Sequence, residues 1–239
     1  MKKLTSVILT LCLATGFAFA QNPAKTVEIL PVDKLPKAEK YLPQPPSLTD
    51  PLYFNDFVQY QKGKEVRNTE RGKVAVDDYM VTTEYYMKRF GEVMGFEMTP
   101  ETHPAMAAYI SATFTTARTA LQSAKDSFHR LRPFVQFNEP SGIPEDENES
   151  NFYQSYPSGH TVRAWSIALA LVGVDPVHQN EILKVGYEMG QSRVIVGFHY
   201  QSDVDAARVA GSAIYALLSV EPAYQDLFRK AKAEFDKKK

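Results

Sequence analysis

Cysteine is all but missing from this 239-residue chain: Cys12 is the only one. It falls inside an N-terminal apolar stretch, so the segment after that stretch is expected to hold neither a disulfide nor a thiolate centre, and its folding must rest on core packing. An excess of charge of one sign is missing too. Lys and Arg number 27 against 28 Asp and Glu, a formal net charge of −1, which gives no basis for binding a nucleic acid polymer and requires any cationic site to be assembled locally. Beyond the first twenty residues no apolar run is long enough to span a bilayer, so membrane insertion is not expected. No Gly-rich nucleotide motif, no Cys/His cluster at metal-ligand spacing and no internal repeat is present, and neither a metal nor another cofactor is called for. Oligomeric state, including a homo-oligomer, is left open.

What is there begins with a leader. Lys2 and Lys3 precede an apolar run from Leu4 to Ala14, and Ala18-Phe19-Ala20 stands before Gln21; residues 1–20 therefore read as a signal peptide that sends the mature chain to the periplasm or outside the cell. Residues 21–52 contain Pro43, Pro45, Pro46 and Pro51 and read as an extended Pro-rich arm that drapes over the domain. Residues 53–239 read as one all-α domain, with 44% hydrophobic and 23% charged residues in the chain suiting a single core. Helical periodicity starts near Asn55 and predicts helices over 73–94, 104–131, 161–174, 176–194, 202–219 and 222–237. Between them, residues 134–156 form a long segment rich in Pro, Gly, Asn and acidic residues, which reads as a functional cover rather than slack chain. Tyr153 and Tyr156 in it offer aromatic surface to a ligand.

The polar residues that stand out are Lys125 and Arg132, then Ser158, Gly159 and His160, then Arg193, His199 and Asp203. Taken singly each has an ordinary structural role: Lys125 and Arg132 as solvent-facing helix charges, Ser158 as an N-cap, His199 as a neutral partner of Asp203. Together they suit a tetrahedral oxyanion. Lys125 and Arg132 are seven apart, which on a helix puts them two turns apart on one face, with Pro133 ending that helix and leaving the guanidinium at a loop mouth. Ser158 caps a helix whose first N–H groups, with Gly159 permitting close approach, form an anion cradle beside His160. Asp203, four residues after His199, reaches its imidazole, fixes the tautomer and frees the other ring nitrogen for attack. Asp205 and Arg208 read as a surface pair on the following helix.

Lys125 to Pro133 fits K-x6-R-P, Pro157 to His160 fits P-S-G-H, and Ser192 to Asp203 fits S-R-x5-H-x3-D, in that order. In these motifs the chain resembles the class A bacterial non-specific acid phosphatases, within the larger superfamily of type 2 phosphatidic acid phosphatases and vanadium haloperoxidases. The likeness extends through residues 67–73, 179–184 and 202–208, so it covers nearly all of the mature chain. It implies an all-helical compact domain of that type and a metal-free, two-step hydrolysis of small phosphomonoesters such as nucleotides, sugar phosphates and aryl phosphates. By motif position His199 takes the phosphoryl group, His160 protonates the leaving group and Asp203 orients His199. Lys125, Arg132, Arg193 and the Ser158–Gly159 region bind the non-bridging oxygens. Members of the class often pair a cysteine in the loop before P-S-G-H with one just ahead of the nucleophilic histidine; here the loop has none and the second region reads Val194-Ile195-Val196-Gly197-Phe198.

Two other readings share the cations. A vanadate-dependent haloperoxidase would use them to hold vanadate, though such enzymes are usually much longer chains. A non-catalytic periplasmic phosphate-binding protein would need the cations but has no use for His160 together with the His199–Asp203 pair.

Overall fold

A computed structural model describes residues 29–238; the leader assigned to residues 1–20 lies outside the described residues. Ten helices follow one another, and among the described residues there is no strand, as the all-α reading expects. They are α1 Pro51–Val66, α2 Glu70–Asp77, α3 Thr83–Met94, α4 Pro104–Thr119, α5 Gln122–Phe128, α6 Pro133–Gln136, α7 Gly159–Val174, α8 Gln179–Ile195, α9 Gln201–Leu218 and α10 Pro222–Lys238. Their starts are local chemistry. Asp50 accepts the Leu52 N–H at 2.8 Å with Pro51 at the first helical position, and Thr69, Thr82 and Ser158 cap α2, α3 and α7 with their side chains.

Two helices expected as single pieces are broken, and one break matters for the site. The span 73–94 divides at Asp78–Thr82, where Thr82 caps a new helix more favourably than it could sit in mid-helix. The span 104–131 divides after Thr119, and α5 itself ends at Phe128 because His129 turns left-handed, with φ 47°. Lys125 and Arg132 therefore do not share a helix face. Arg132 is extended (φ −74°, ψ 153°), the conformation forced on a residue before proline, and Pro133 opens α6 rather than ending a helix. Helix α8 ends within one residue of the expected 176–194 and carries Arg193 in its last turn.

The Ala-rich α7 is the centre, buried on most of its surface through Val162, Ala164, Ile167, Ala168, Leu171 and Val174, with α4, α8 and α9 packed around it. Helix α8 comes close because Gly186 lacks a side chain: a Cβ there would lie 2.5 Å from the Ala168 Cβ. In the arm, residues 29–50 contain only two short 3₁₀ turns, and Leu35, Ala38 and Leu42 are buried in the main core.

Residues 134–156 are tethered by packing. Phe134 and Ile143 join Val196 and Phe198, just ahead of His199, in a small second core, and the Gly142 N–H donates to the Val196 carbonyl at 2.7 Å. Apolar burial and a backbone hydrogen bond thus join residues 134–156 to the segment just ahead of His199. Of the two tyrosines, Tyr153 is exposed and stacked on His129 at 4.4 Å, but Tyr156 is buried and donates its hydroxyl to the Pro43 carbonyl. Tyr156 is a structural residue, contrary to expectation.

Candidate active site

All eight residues singled out in the sequence meet at the N-terminal end of α7. Helix α8 brings Arg193, the tight turn after it brings His199, the start of α9 brings Asp203, α5 brings Lys125 and the turn before α6 brings Arg132. That tight turn needs Gly197, which has φ +72° and faces the Arg67 guanidinium so closely that a Cβ would lie 2.1 Å from its Nη2. Arg67 meanwhile donates from Nε to the Ile195 carbonyl at 2.6 Å, closing the end of α8.

Arg193 is the most informative residue. It is 0% exposed, and none of its three guanidinium nitrogens has a hydrogen-bond partner among the described residues; its guanidinium lies 5.2 Å from the Phe198 ring centroid and 5.8 Å from that of Tyr79. A buried cation with no acceptor is costly unless an anion completes it. Burial, then the neighbouring Arg132, lowers its pKa to about 9. Arg132, 7% exposed, is lowered to about 10 by burial. It donates from Nε to the Asn151 carbonyl (2.8 Å) and from Nη1 to the Phe198 carbonyl (3.0 Å) and to His199 Nε2 (3.0 Å). Since a guanidinium only donates, His199 Nε2 is the unprotonated nitrogen and Nδ1 carries the hydrogen. Nδ1 lies 3.4 Å from Asp203 Oδ2, close enough for an ion pair but without a hydrogen bond between them.

Asp203 is fixed by far more than His199. Its Oδ1 accepts from Arg130 Nη1 at 2.5 Å, and its Oδ2 from Ser155 Oγ at 2.6 Å and the Tyr200 N–H at 2.8 Å. Arg130 also donates from Nη2 to Asp56 in α1 at 2.8 Å and lies over the Tyr200 ring at 4.0 Å. Asp56 in turn accepts from the Ser202 N–H (2.8 Å) and hydroxyl (2.6 Å). Burial alone would raise the Asp203 pKa; Arg130, with the His199 and Ser155 contacts, holds it well below the usual carboxylate range. Sequence reasoning missed Arg130, Asp56 and Ser155. Arg130 stands two residues before Arg132, but a helix through both would have turned it elsewhere; for Asp56, a lone acid on an exposed-looking helix, no signal existed.

On the other side of the cluster, Ser158 Oγ accepts from the Thr161 N–H (3.4 Å) and hydroxyl (2.9 Å), which leaves its own O–H free to donate. Its backbone N–H is taken by the Asp203 carbonyl at 3.1 Å, so the first-turn donors left without an intrahelical acceptor are those of Gly159 and His160. Gly159 is not demanded by the backbone: a Cβ there would touch Lys125 Cε at an ordinary 3.6 Å. Lys125 donates to the Gln154 carbonyl at 2.5 Å, and burial, then Arg132, pushes its pKa well down. His160 stacks on Tyr79 and lies with Nε2 3.3 Å from the Tyr79 carbonyl; as that oxygen only accepts, Nε2 is the N–H and Nδ1 is the nitrogen able to take up and deliver a proton. The pKa values of both histidines are pushed well down by burial, followed by Arg193 for His160 and Arg132 for His199.

Such a pocket holds excess positive charge away from water and suits a dianion. A bound dianion would offset the cations that depress His160, so binding should take up a proton. We expect titration calorimetry of phosphate near pH 7, repeated in buffers of different ionisation enthalpy, to show net proton uptake; zero uptake or release would contradict it. The sign for stability follows. Both histidines titrate near 6.5 when unfolded and lower when folded, so the ligand-free fold loses stability as pH drops below about 6.5, the loss levelling off under their folded pKa values.

Comparison with known proteins gives the family. The PAP2 superfamily model matches residues 104–225, a span that includes all eight residues. The chain is 41% identical over 202 residues to a non-specific acid phosphatase of Providencia stuartii, covering 83% of this chain and 80% of that protein. Non-specific acid phosphatases of Salmonella typhimurium and Salmonella typhi are 39% and 38% identical over 199 residues, with the same coverage.

Proposed function

Since the chain belongs to the PAP2 superfamily and, within it, to the bacterial non-specific acid phosphatases, we propose that it hydrolyses phosphate monoesters of broad specificity through a phosphohistidine on His199, without a metal. The observation that carries this is Arg193, fully buried with three unpartnered nitrogens, near a histidine whose Nε2 accepts from Arg132 at 3.0 Å. The terminal phosphoryl group sits among Arg132, Arg193, Lys125, Ser158 O–H and the Gly159 N–H. His199 Nε2 attacks phosphorus, and Asp203 stabilises the charge that develops on the ring. His160 gives its Nδ1 proton to the leaving oxygen, then takes a proton from the water that hydrolyses phospho-His199. Fixed cations supply the charge stabilisation that phosphoryl transfer requires.

Activity is expected to be highest at acid pH. With substrate bound the cations around His160 are partly neutralised, so its pKa rises toward its ordinary value, and the protonated form is populated only below that value. The reading includes export: residues 1–20 are the leader, residues 21–52 the arm and residues 53–239 the catalytic domain. Among the described residues no helix is long and apolar enough to cross a membrane. The test is a panel of aryl, sugar and nucleoside monophosphates assayed from pH 4 to 9, with and without chelator. Turnover of several classes, faster in acid and indifferent to chelator, is the expected result. Loss on chelation with rescue by a divalent ion, or a rate that climbs into alkaline pH, would overturn the mechanism.

A further inference from the structure

Ser192 opens the S-R-x5-H-x3-D stretch and Arg71 lies in residues 67–73, yet the mechanism above uses neither. Both lead to one carboxylate. Asp78 closes α2 and is 2% exposed. Its Oδ1 accepts from the Tyr85 hydroxyl at 2.8 Å and from Arg89 Nε at 3.0 Å, both on α3, and its Oδ2 accepts from the Ser192 hydroxyl on α8 at 2.6 Å. Arg71, on α2, donates from Nη2 to the same Ser192 oxygen and to the Glu188 carbonyl, each at 2.9 Å. A buried carboxylate thus ties three helices together, and charge-assisted bonds from Arg89 and two hydroxyls leave the segment that carries it little freedom.

That segment runs beside His160. Tyr79 follows Asp78 in the turn between α2 and α3, which is closed by the Tyr79 N–H on the Val76 carbonyl (2.9 Å) and the Met80 N–H on the Asp77 carbonyl (3.0 Å). The Tyr79 carbonyl is the acceptor for His160 Nε2 at 3.3 Å, and the Tyr79 ring stacks on the imidazole. A bond of that length is lost if the carbonyl moves by a few tenths of an ångström. Resting on the phosphatase reading, we propose that Asp78 is a positioning residue for His160. By anchoring the turn it holds the Tyr79 carbonyl where it keeps the imidazole hydrogen on Nε2 and leaves Nδ1 to serve the leaving oxygen. Each histidine then has a buried carboxylate behind it: Asp203 stands directly beside His199, whereas Asp78 acts on His160 through the backbone of the next residue. Ser192 also neighbours Arg193, but a defect there would weaken the binding of every phosphate alike, whereas a defect at His160 depends on the leaving group.

The experiment measures kcat/KM for 4-nitrophenyl phosphate and phenyl phosphate, which share an aryl body but differ in how much the departing oxygen needs a proton. The chains compared are wild type, Asp78→Asn, Asp78→Ala, His160→Ala and the Asp78→Ala/His160→Ala double variant. General acid catalysis contributes about 10²–10⁴-fold, so losing part of it should raise the ratio of 4-nitrophenyl to phenyl phosphate about tenfold in Asp78→Ala. Asp78→Asn, which keeps an acceptor for Tyr85 and Arg89, should fall between that and wild type. In the double variant the ratio should stay where His160→Ala alone puts it, since both residues then act through one proton. If Asp78→Ala does not fold, Asp78→Asn and Arg89→Lys make the same comparison, each with a smaller rise. Equal losses on both substrates, no loss on either, or a further shift of the ratio in the double variant would each overturn the proposal while leaving the phosphatase reading intact. A ratio that His160→Ala does not move sinks the assignment of the acid and this proposal with it, and a wild type that turns over neither substrate sinks the phosphatase reading itself.

Discussion

His199→Ala should leave the chain without measurable turnover, a fall in kcat of about 10⁴-fold or more, since the variant has no nitrogen at the place where the phosphoryl group must bond. Phosphate affinity should change far less. Arg132 and Lys125 stay in place, held by contacts of their own: Arg132 by the Asn151 and Phe198 carbonyls and Lys125 by that of Gln154. Steady-state kinetics on 4-nitrophenyl phosphate, paired with phosphate binding measured by calorimetry, separates the two effects. Residual turnover within about a hundredfold of wild type would assign the nucleophile elsewhere.

The largest stability effect should come from a residue that touches no substrate. Arg130→Met leaves two fully buried carboxylates, Asp203 and Asp56, without the cation that bridges them at 2.5 and 2.8 Å. Breaking a buried ion pair from one side costs about 3–5 kcal/mol, and here two pairs share the lost partner. The pH sign follows from Asp203. Its depressed pKa gives stability that is present above the ordinary value near 3.9 and lost as pH falls through the lower folded value. Without Arg130 the folded pKa rises, so acid unfolding should begin at higher pH. On the proposed mechanism the rate should fall as well, because Asp203 is no longer held beside His199. Denaturant unfolding at several pH values checks this; a loss under about 1 kcal/mol near neutral pH would mean that the network is solvated and not structural.

The contrast between these two residues shows what a sequence can carry. The helical class was legible because residues 161–174, 176–194 and 202–219 show helical periodicity, and Ser158 was readable as the cap that its hydroxyl makes. The Asp205–Arg208 pair, at 2.8 Å, also follows from spacing alone. Lys125 and Arg132 were paired correctly but for the wrong geometric reason. Seven residues apart suggests one helix face, yet the left-handed turn at His129 and the proline after Arg132 bring them together across a break. Arg130 was invisible for the same reason, and Asp56 because its partners lie 74 and 146 residues away in the chain. Short-range periodicity reports helices and caps, whereas a buried charge network is a product of tertiary packing, to which that signal is blind. The tether of residues 134–156 belongs to the same class: without cysteines the sequence showed only an absence, and the packing of Gly142 and Ile143 against Val196 fills it.

The central claim is that His199 carries the phosphoryl group. Wild-type enzyme mixed with an isotopically labelled aryl phosphate and denatured within milliseconds, then digested and sequenced by mass spectrometry, tests it most directly. The expected product is an acid-labile, base-stable phosphoramidate on the peptide containing His199, absent in His199→Ala and longer-lived in His160→Ala. Label on any other residue, or enzyme in full turnover from which no phosphoenzyme can be trapped, would contradict the account.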